Sequence, residues 1–222
     1  MEAQSDNSPE KSSNASSPHT GEGVVIDIGT GDGRFVSAAA RANPNKFYIG
    51  VDANTKPLEK PSMKAMRKPS KGGLPNATFV QAAIEDLPAE FDGAADEIHI
   101  HFPWGSLLKA VTTADAKILE SLRRMSAPEC LLEIVVGIDA ERDKTEIARL
   151  EIPELTPIFL HSYLFPKYLA AGFQLQDHRK LKFDEWSQLE TSWARKLGPN
   201  AGRVVMHLLF EATDQPPIGP LC

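Results

Sequence analysis

From Val24 onward the apolar residues fall into short runs separated by polar, turn-forming stretches. Val24–Ile28, Phe47–Asp52, Thr78–Ala82, Glu97–Phe102 and Leu131–Ile138 are compact apolar or alternating segments, the length and composition expected of strands. Between them, 33–42, 55–68, 107–125 and 142–150 carry apolar residues at three- and four-residue spacing and predict helices. Strands alternating with helices at this spacing predict an α/β fold whose mostly parallel sheet has helices on both faces. The last third continues with a predicted helix over 165–171, a strand over 173–182, a helix over 185–197 and a final strand over 204–212. Pro153 and Pro157 mark an irregular connector before this last part. Residues 1–22 hold six serines and almost no large apolar side chain, which predicts a disordered leader, and the Pro-rich stretch 214–222 predicts a frayed tail. Residues 23–213 are then one domain.

The segment Asp27-Ile28-Gly29-Thr30-Gly31-Asp32-Gly33-Arg34 changes the picture from fold to chemistry. A buried strand runs into three glycines at alternate positions and then into a helix. Glycine allows a tight turn and a close approach of backbone to ligand, and the helix start offers unpaired N–H groups. The pattern is G-x-G-x-G, with Arg34 where a dinucleotide fingerprint needs its third glycine, and this weighs against a nicotinamide cofactor. Nineteen residues beyond Gly33, Asp52 ends the second strand, where a carboxylate can accept bonds from ribose hydroxyls. Ile84 and Glu85 follow the third strand. All of these fall at carboxyl ends of strands, where open α/β sheets bind ligands.

The ordered set Asp27, Gly29, Gly31, Gly33 and Asp52 resembles the class I S-adenosylmethionine-dependent methyltransferases. That resemblance implies a Rossmann-like, seven-stranded, mostly parallel sheet with an antiparallel last strand. After the fourth strand stands Phe102-Pro103-Trp104-Gly105-Ser106-Leu107-Leu108, and near the end stands Thr191-Ser192-Trp193-Ala194-Arg195-Lys196-Leu197. Together with 67–74, Arg67-Lys68-Pro69-Ser70-Lys71-Gly72-Gly73-Leu74, these motifs resemble the aminoglycoside-resistance methyltransferases that modify N1 of adenine 1408 in 16S rRNA of the small ribosomal subunit. The resemblance covers roughly 24–210 and is densest over 24–108.

It implies that Asp27, Gly29, Gly31, Gly33, Asp52, Ile84, Glu85, Ser106 and Thr191 line a pocket for S-adenosylmethionine, with S-adenosylhomocysteine as product. It also implies that Trp104 and Trp193, with Phe102 and Pro103, form the catalytic site, the two indoles sandwiching a flipped adenine. Lys64, Arg67, Lys68, Lys71, Arg195, Lys196 and Arg203 are the expected RNA contacts. The pattern departs from the family at Met63, where a second basic residue usually stands beside Lys64.

Charge at first opposes an RNA partner. The chain has 24 Lys and Arg against 30 Asp and Glu, a net charge of −6, which excludes binding by general positive charge. Yet Lys56, Lys60, Lys64, Arg67, Lys68 and Lys71 face only Glu59 within 56–71, a local balance of +5. A solvated helix usually mixes signs, so this run predicts a phosphate-binding face followed by a flexible basic loop.

Other residues are read as structural. His99 and His101 alternate on the fourth strand without an Asp or Cys at ligand spacing, so no metal site is expected. Trp186 belongs in the core, and Glu133, a lone acid in an apolar run, reaches the strand end or an arginine. Cys130 and Cys222 suit neither a disulfide framework nor a zinc site and are expected as thiols. No apolar run approaches the ~18 residues of a membrane-spanning helix, so the expectation is a soluble, cytoplasmic monomer. Two other functions fit parts of the pattern: a tRNA guanine-N7 methyltransferase, and a catalytically silent ribosome-binding or assembly factor of the same fold.

Overall fold

The computed structural model describes residues 22–197 and 203–213, so the predicted leader and tail lie outside the described residues. Seven strands, β1 (Val24–Ile28), β2 (Phe47–Asp52), β3 (Ala77–Gln81), β4 (Ala95–His101), β5 (Ser126–Asp139), β6 (Phe173–Lys180) and β7 (Arg203–Ala212), form one sheet in the order β3-β2-β1-β4-β5-β7-β6. The first five are mutually parallel, and β7 runs antiparallel to both β5 and β6. This is the class I methyltransferase topology that the sequence led us to expect. Chain order reverses between β1 and β4, and that switch point opens a crevice at the carboxyl ends of the strands.

The helices are α1 (Arg34–Ala42), α2 (Thr55–Ala65), α3 (Gly105–Thr113), α4 (Ala116–Met125), α5 (Lys144–Leu150), α6 (Pro157–Phe159), α7 (Phe165–Ala170), α8 (Phe183–Trp186) and α9 (Ser192–Leu197). One wide turn, Leu160–Leu164, joins α6 to α7. Three expected helices are shorter or broken. The 107–125 segment splits at Ala114, whose φ is 54°, and Asp115 starts α4 by accepting the N–H groups of Lys117 and Ile118. Helix α2 stops at Ala65 rather than at Lys68, because the residue before Pro69 avoids helical backbone. The 185–197 segment divides into α8 and α9.

Strand periodicity explains the two faces. On one face Ile26, Ile98, Leu132, Ile134, Leu208 and Phe210 align across four strands, and all are essentially excluded from solvent. Leu122, Val111 and Tyr168 from the covering helices complete this core, with the Tyr168 and Phe210 rings stacked 4.4 Å apart. On the opposite face two smaller apolar clusters, one around Val36 and Tyr48 and one around Trp186 and Val205, flank a central polar strip. Trp186 is buried, as its lack of a motif predicted.

Candidate active site

The glycine loop closes the end of β1 and needs glycine for three different reasons. Gly29, Gly31 and Gly33 all have positive φ, at 76°, 55° and 65°. A Cβ on Gly29 would lie 2.9 Å from Leu107 of α3, and one on Gly33 would lie 2.4 Å from the Phe79 ring. Around Gly31 there is open space within 4 Å, so this residue leaves room beside the backbone for a ligand. Asp52 ties the loop to β2: its carboxylate accepts the Gly31 N–H at 2.9 Å and the Asn54 N–H at 2.8 Å.

Two adjoining recesses share Gly29, Gly31, Pro57 and Trp193. The first, about 440 Å³, is bordered by Asp27, Thr30, His101 and Thr191, and the second, about 530 Å³, by Asp52, Ile84, Glu85, Trp104 and Ser106. Every residue that the resemblance assigned to the cofactor, apart from Gly33 beneath the loop, thus borders one continuous crevice. Ile84 is buried and Glu85 exposed, on a single helical turn after β3. Burial raises the Asp27 carboxyl above its usual range, and His101, Thr30 and His99 act against that rise.

Phe102 ends β4 in a left-handed conformation, φ 48°, that turns the chain sharply outward. Its own ring is buried, 6.0 Å from Trp186 and so close to residue 137 that a Cβ there would lie 2.9 Å away. Phe102 therefore anchors the turn from within the core while bordering the second recess beside Pro103 and Trp104. Beyond it Trp104 emerges 40% exposed, facing Trp193, 42% exposed. Their rings are stacked at 5.9 Å between centroids and 25° between planes. Trp193 is placed by α9, whose start is capped by Thr191 Oγ1 accepting the Ala194 N–H, and by Ser192, whose hydroxyl donates to Asp32 of the glycine loop. The Ser192–Asp32 link spans 160 residues and left no local signal. Lys196 lies over the Trp193 ring at 5.7 Å.

The basic segment begins at the crevice, because Pro57 of α2 borders both recesses. Lys60, Lys64, Arg67, Lys68 and Lys71 are all exposed, with Met63 and Met66 between them. The loop after α2 is tightly closed, which corrects its expected flexibility: the N–H groups of Lys71 and Gly73 donate to Lys68 O, and that of Leu74 to Ala65 O. Arg195 is exposed and paired with Glu190 at 2.7 Å. Arg203 departs from the expected surface role. Its guanidinium is buried and donates at 3.0 Å to both Asp143 and the Gly137 carbonyl, directly behind Trp104 and Trp193.

The expectation for Glu133 also fails. Glu133 on β5 stands between His99 and His101 of β4, accepting from them at 2.6 and 3.0 Å, and accepts from His207 of β7 at 3.0 Å. The acid reaches three imidazoles and no arginine, and the carboxylate that was missing from the fourth strand comes from its neighbour. Burial pushes Glu133 up, but the bonds from His101, His207 and His99 outweigh it and hold the carboxyl well below the carboxylate range. Burial lowers His99, yet its bonds to Glu133 and Glu97 raise it to about 9.

A sheet switch point carrying this glycine loop, a ribose-level aspartate and an aromatic pair at the crevice mouth defines a class I S-adenosylmethionine-dependent methyltransferase. The model of the family "NpmA: 16S rRNA (adenine(1408)-N(1))-methyltransferase" matches residues 8–212, and the chain belongs to that family. A 16S rRNA (adenine(1408)-N(1))-methyltransferase of Streptoalloteichus tenebrarius is 38% identical over 181 residues, covering 81% of this chain and 82% of the relative. An Escherichia coli protein of the same name is 37% identical over 175 residues, covering 78% and 80%. Among solved structures, the aminoglycoside resistance methyltransferase NpmB1 superposes with a TM-score of 0.76 at 44% identity, covering 87% of this chain and 89% of that one. A tryptophan-to-alanine mutant of the 16S rRNA (adenine(1408)-N(1))-methyltransferase from Catenulisporales acidiphilia, with cosubstrate SAM, gives 0.78 at 37%, covering 90% and 89%. A tRNA (guanine-N(7)-)-methyltransferase of Bacillus cytotoxicus aligns over only 84 residues, 36% of this chain. Among the described residues no helix is long and apolar enough to cross a membrane.

Proposed function

We propose that this chain methylates N1 of adenine 1408 in 16S rRNA within the assembled small ribosomal subunit, acting as a cytoplasmic monomer and conferring aminoglycoside resistance. The observation that carries this reading is the pair of half-exposed indoles, Trp104 and Trp193, facing each other across the mouth of the glycine-loop crevice. Flat apolar faces at that place suit an unstacked base, whose extrusion costs a few kcal/mol that stacking offsets.

The open space at Gly31 and the buried Asp27 at the loop's base fit S-adenosylmethionine, held by Asp27, Gly29, Asp52, Ile84, Glu85, Ser106 and Thr191. When bound, it supplies a methyl group activated by a sulfonium. Adenine N1 already carries a lone pair near neutral pH, so no side chain has to remove a proton first. What the protein contributes is alignment: the tryptophans hold the ring, Phe102 and Pro103 fix Trp104 from behind, and the Ser192–Asp32 bond fixes Trp193. Alignment of two reactants can lower a barrier by about 7–11 kcal/mol. Lys64, Arg67, Lys68 and Lys71, with Arg195 and Lys196, form the RNA-facing charge.

The test is primer extension on 16S rRNA after purified subunits are incubated with the protein and S-adenosylmethionine. A cofactor-dependent stop at adenine 1408 is expected, because N1 methylation blocks base pairing. Read-through at that position overturns the assignment, and a silent ribosome-binding factor predicts both read-through and no S-adenosylhomocysteine binding.

A further inference from the structure

The strip of polar side chains on the sheet face beneath α1 touches the crevice at Asp27 and His101, while His99, Glu133 and His207 border neither recess. Asp27 of β1 sits in register with His99, and His99 with Glu133. His101 and His207 complete the group, with Phe35 of α1 packed on His99 and His101 at 5.0 and 4.7 Å. His99 and His101 of β4 therefore converge on Glu133 Oε2 of β5, while His207 of β7 holds the other carboxylate oxygen. One donor atom from each of His99, His101 and Glu133 falls within a sphere of mutual separation 4.8 Å.

We propose that His99, His101 and Glu133 form a binding site for a divalent transition-metal ion of the zinc class. The donor set is the first reason. Imidazole nitrogens with a single carboxylate suit zinc, nickel and copper, and suit magnesium and calcium poorly. Spacing is the second. Zinc bonds of about 2.0–2.1 Å set donors roughly 3.3 Å apart around a tetrahedron. The nitrogens of His99 and His101 stand 2.6 and 3.0 Å from Glu133 Oε2, and the three donors lie within 4.8 Å of one another, so a small shift of that carboxylate admits an ion.

The outer partners are the third reason, and they are independent of the first two. A metal-bound histidine usually gives its other ring nitrogen to a carboxylate, which fixes ring and tautomer. His99 turns Nδ1 to the centre and Nε2 to Glu97 at 3.3 Å, and Glu97 is in turn held by Lys46 at 2.5 Å. His207 stands outside the ligand set and braces the other Glu133 oxygen through Nε2 at 3.0 Å. Access exists, since the Glu133 and His99 side chains retain 23% and 15% exposure. This inference departs from the sequence expectation of no metal, and it does not depend on the methylation reading.

The experiment is equilibrium dialysis of the full chain against zinc chloride, with metal content measured, paired with visible absorption of the cobalt-loaded protein. Saturable uptake of one zinc per chain, unaffected by excess magnesium, is expected, together with cobalt bands of a tetrahedral nitrogen–oxygen site. Glu97→Gln, which leaves all three ligands in place, should weaken zinc binding about 10- to 100-fold. Glu133→Gln should weaken it further, with circular dichroism checking that each variant is folded. Absence of saturable zinc uptake, or zinc uptake unchanged in both folded variants, overturns the proposal and leaves the cluster as an internal ion-pair network. The cobalt spectrum of the unaltered chain keeps the test decisive even where a variant fails to fold.

Discussion

Trp104 and Trp193 stack on each other at 5.9 Å between ring centroids, which is too close for a base to lie between them. Nucleic-acid bases stack at ~3.4 Å, so a sandwich needs the indoles about 7 Å apart. The pair holds the place of the base with its own contact, and the rings must separate by roughly an ångström when an adenine enters.

Replacing one wall of this pair should separate cofactor binding from chemistry. With base stacking worth ~1–3 kcal/mol, Trp104→Ala should lower methylation of the subunit roughly ten- to hundredfold. S-adenosylhomocysteine affinity, measured by calorimetry, should stay within a factor of about two or three. Unaltered turnover in Trp104→Ala would sink the sandwich.

Gly31 and Gly33 should fail in different ways. Gly31→Ala adds a methyl in open space, at a left-handed cost of ~1–2 kcal/mol, and its main effect should be lost cofactor affinity. Gly33→Ala drives a methyl into the Phe79 ring and the Pro61 side chain, so it should lower the melting temperature sharply. Thermal unfolding and calorimetry on the two proteins distinguish these outcomes, and equal melting losses would contradict the assignment.

Arg67→Glu combined with Lys68→Glu should weaken subunit binding at least about tenfold without changing cofactor affinity, since both side chains are exposed and beyond the crevice. Each lost phosphate contact removes roughly 0.7–0.9 from the slope of log affinity against log salt. Filter binding at several salt concentrations reads that slope, and an unchanged slope argues against the patch.

Arg203→Ala should act on stability first. It leaves Asp143, whose side chain is only 13% exposed, with the Asp139 N–H but no cation, and breaking a buried pair costs about 3–5 kcal/mol. Denaturant unfolding should show a loss of this size, whereas a wild-type midpoint with reduced RNA binding would return Arg203 to the surface role.

Cys130 should be chemically inert in the folded protein. Burial pushes its thiol up from 9.0 to about 11, which at a given pH means about 100-fold less thiolate. The sign follows: the folded state disfavours the charged form, so this group erodes stability only as pH rises above the unfolded value of 9.0. Peptide mapping after alkylation at pH 8 should find Cys130 unmodified until denaturant is added.

Local pattern was enough to read much of this protein. The run from Val24 through Arg34, with its alternate glycines, specified strand, turn and helix by itself, because φ preference and side-chain period are properties of neighbouring residues. The same holds for Asp52 after β2 and for the Trp104 segment after β4, since a sheet built of β–α units brings successive strand ends to one edge. The basic run 56–71 was legible as charge, while the tight closure of its loop rests on backbone bonds from Lys71, Gly73 and Leu74.

What the sequence could not supply were the meetings between distant segments. Glu133 looked like a solitary acid because its partners lie on two other strands, and only the parallel register of β4 with β5 and the antiparallel return of β7 put three histidines around it. Arg203 looked like one more surface cation until β7 slid between β5 and β6 and carried it to Asp143. Ser192 reaches Asp32 only because the last helix folds back over the first loop. Residue type and spacing determined the elements and the methyl-transfer crevice. Sheet order and register, which arise from packing between residues far apart in the chain, decided which charges are paired inside and which stay exposed.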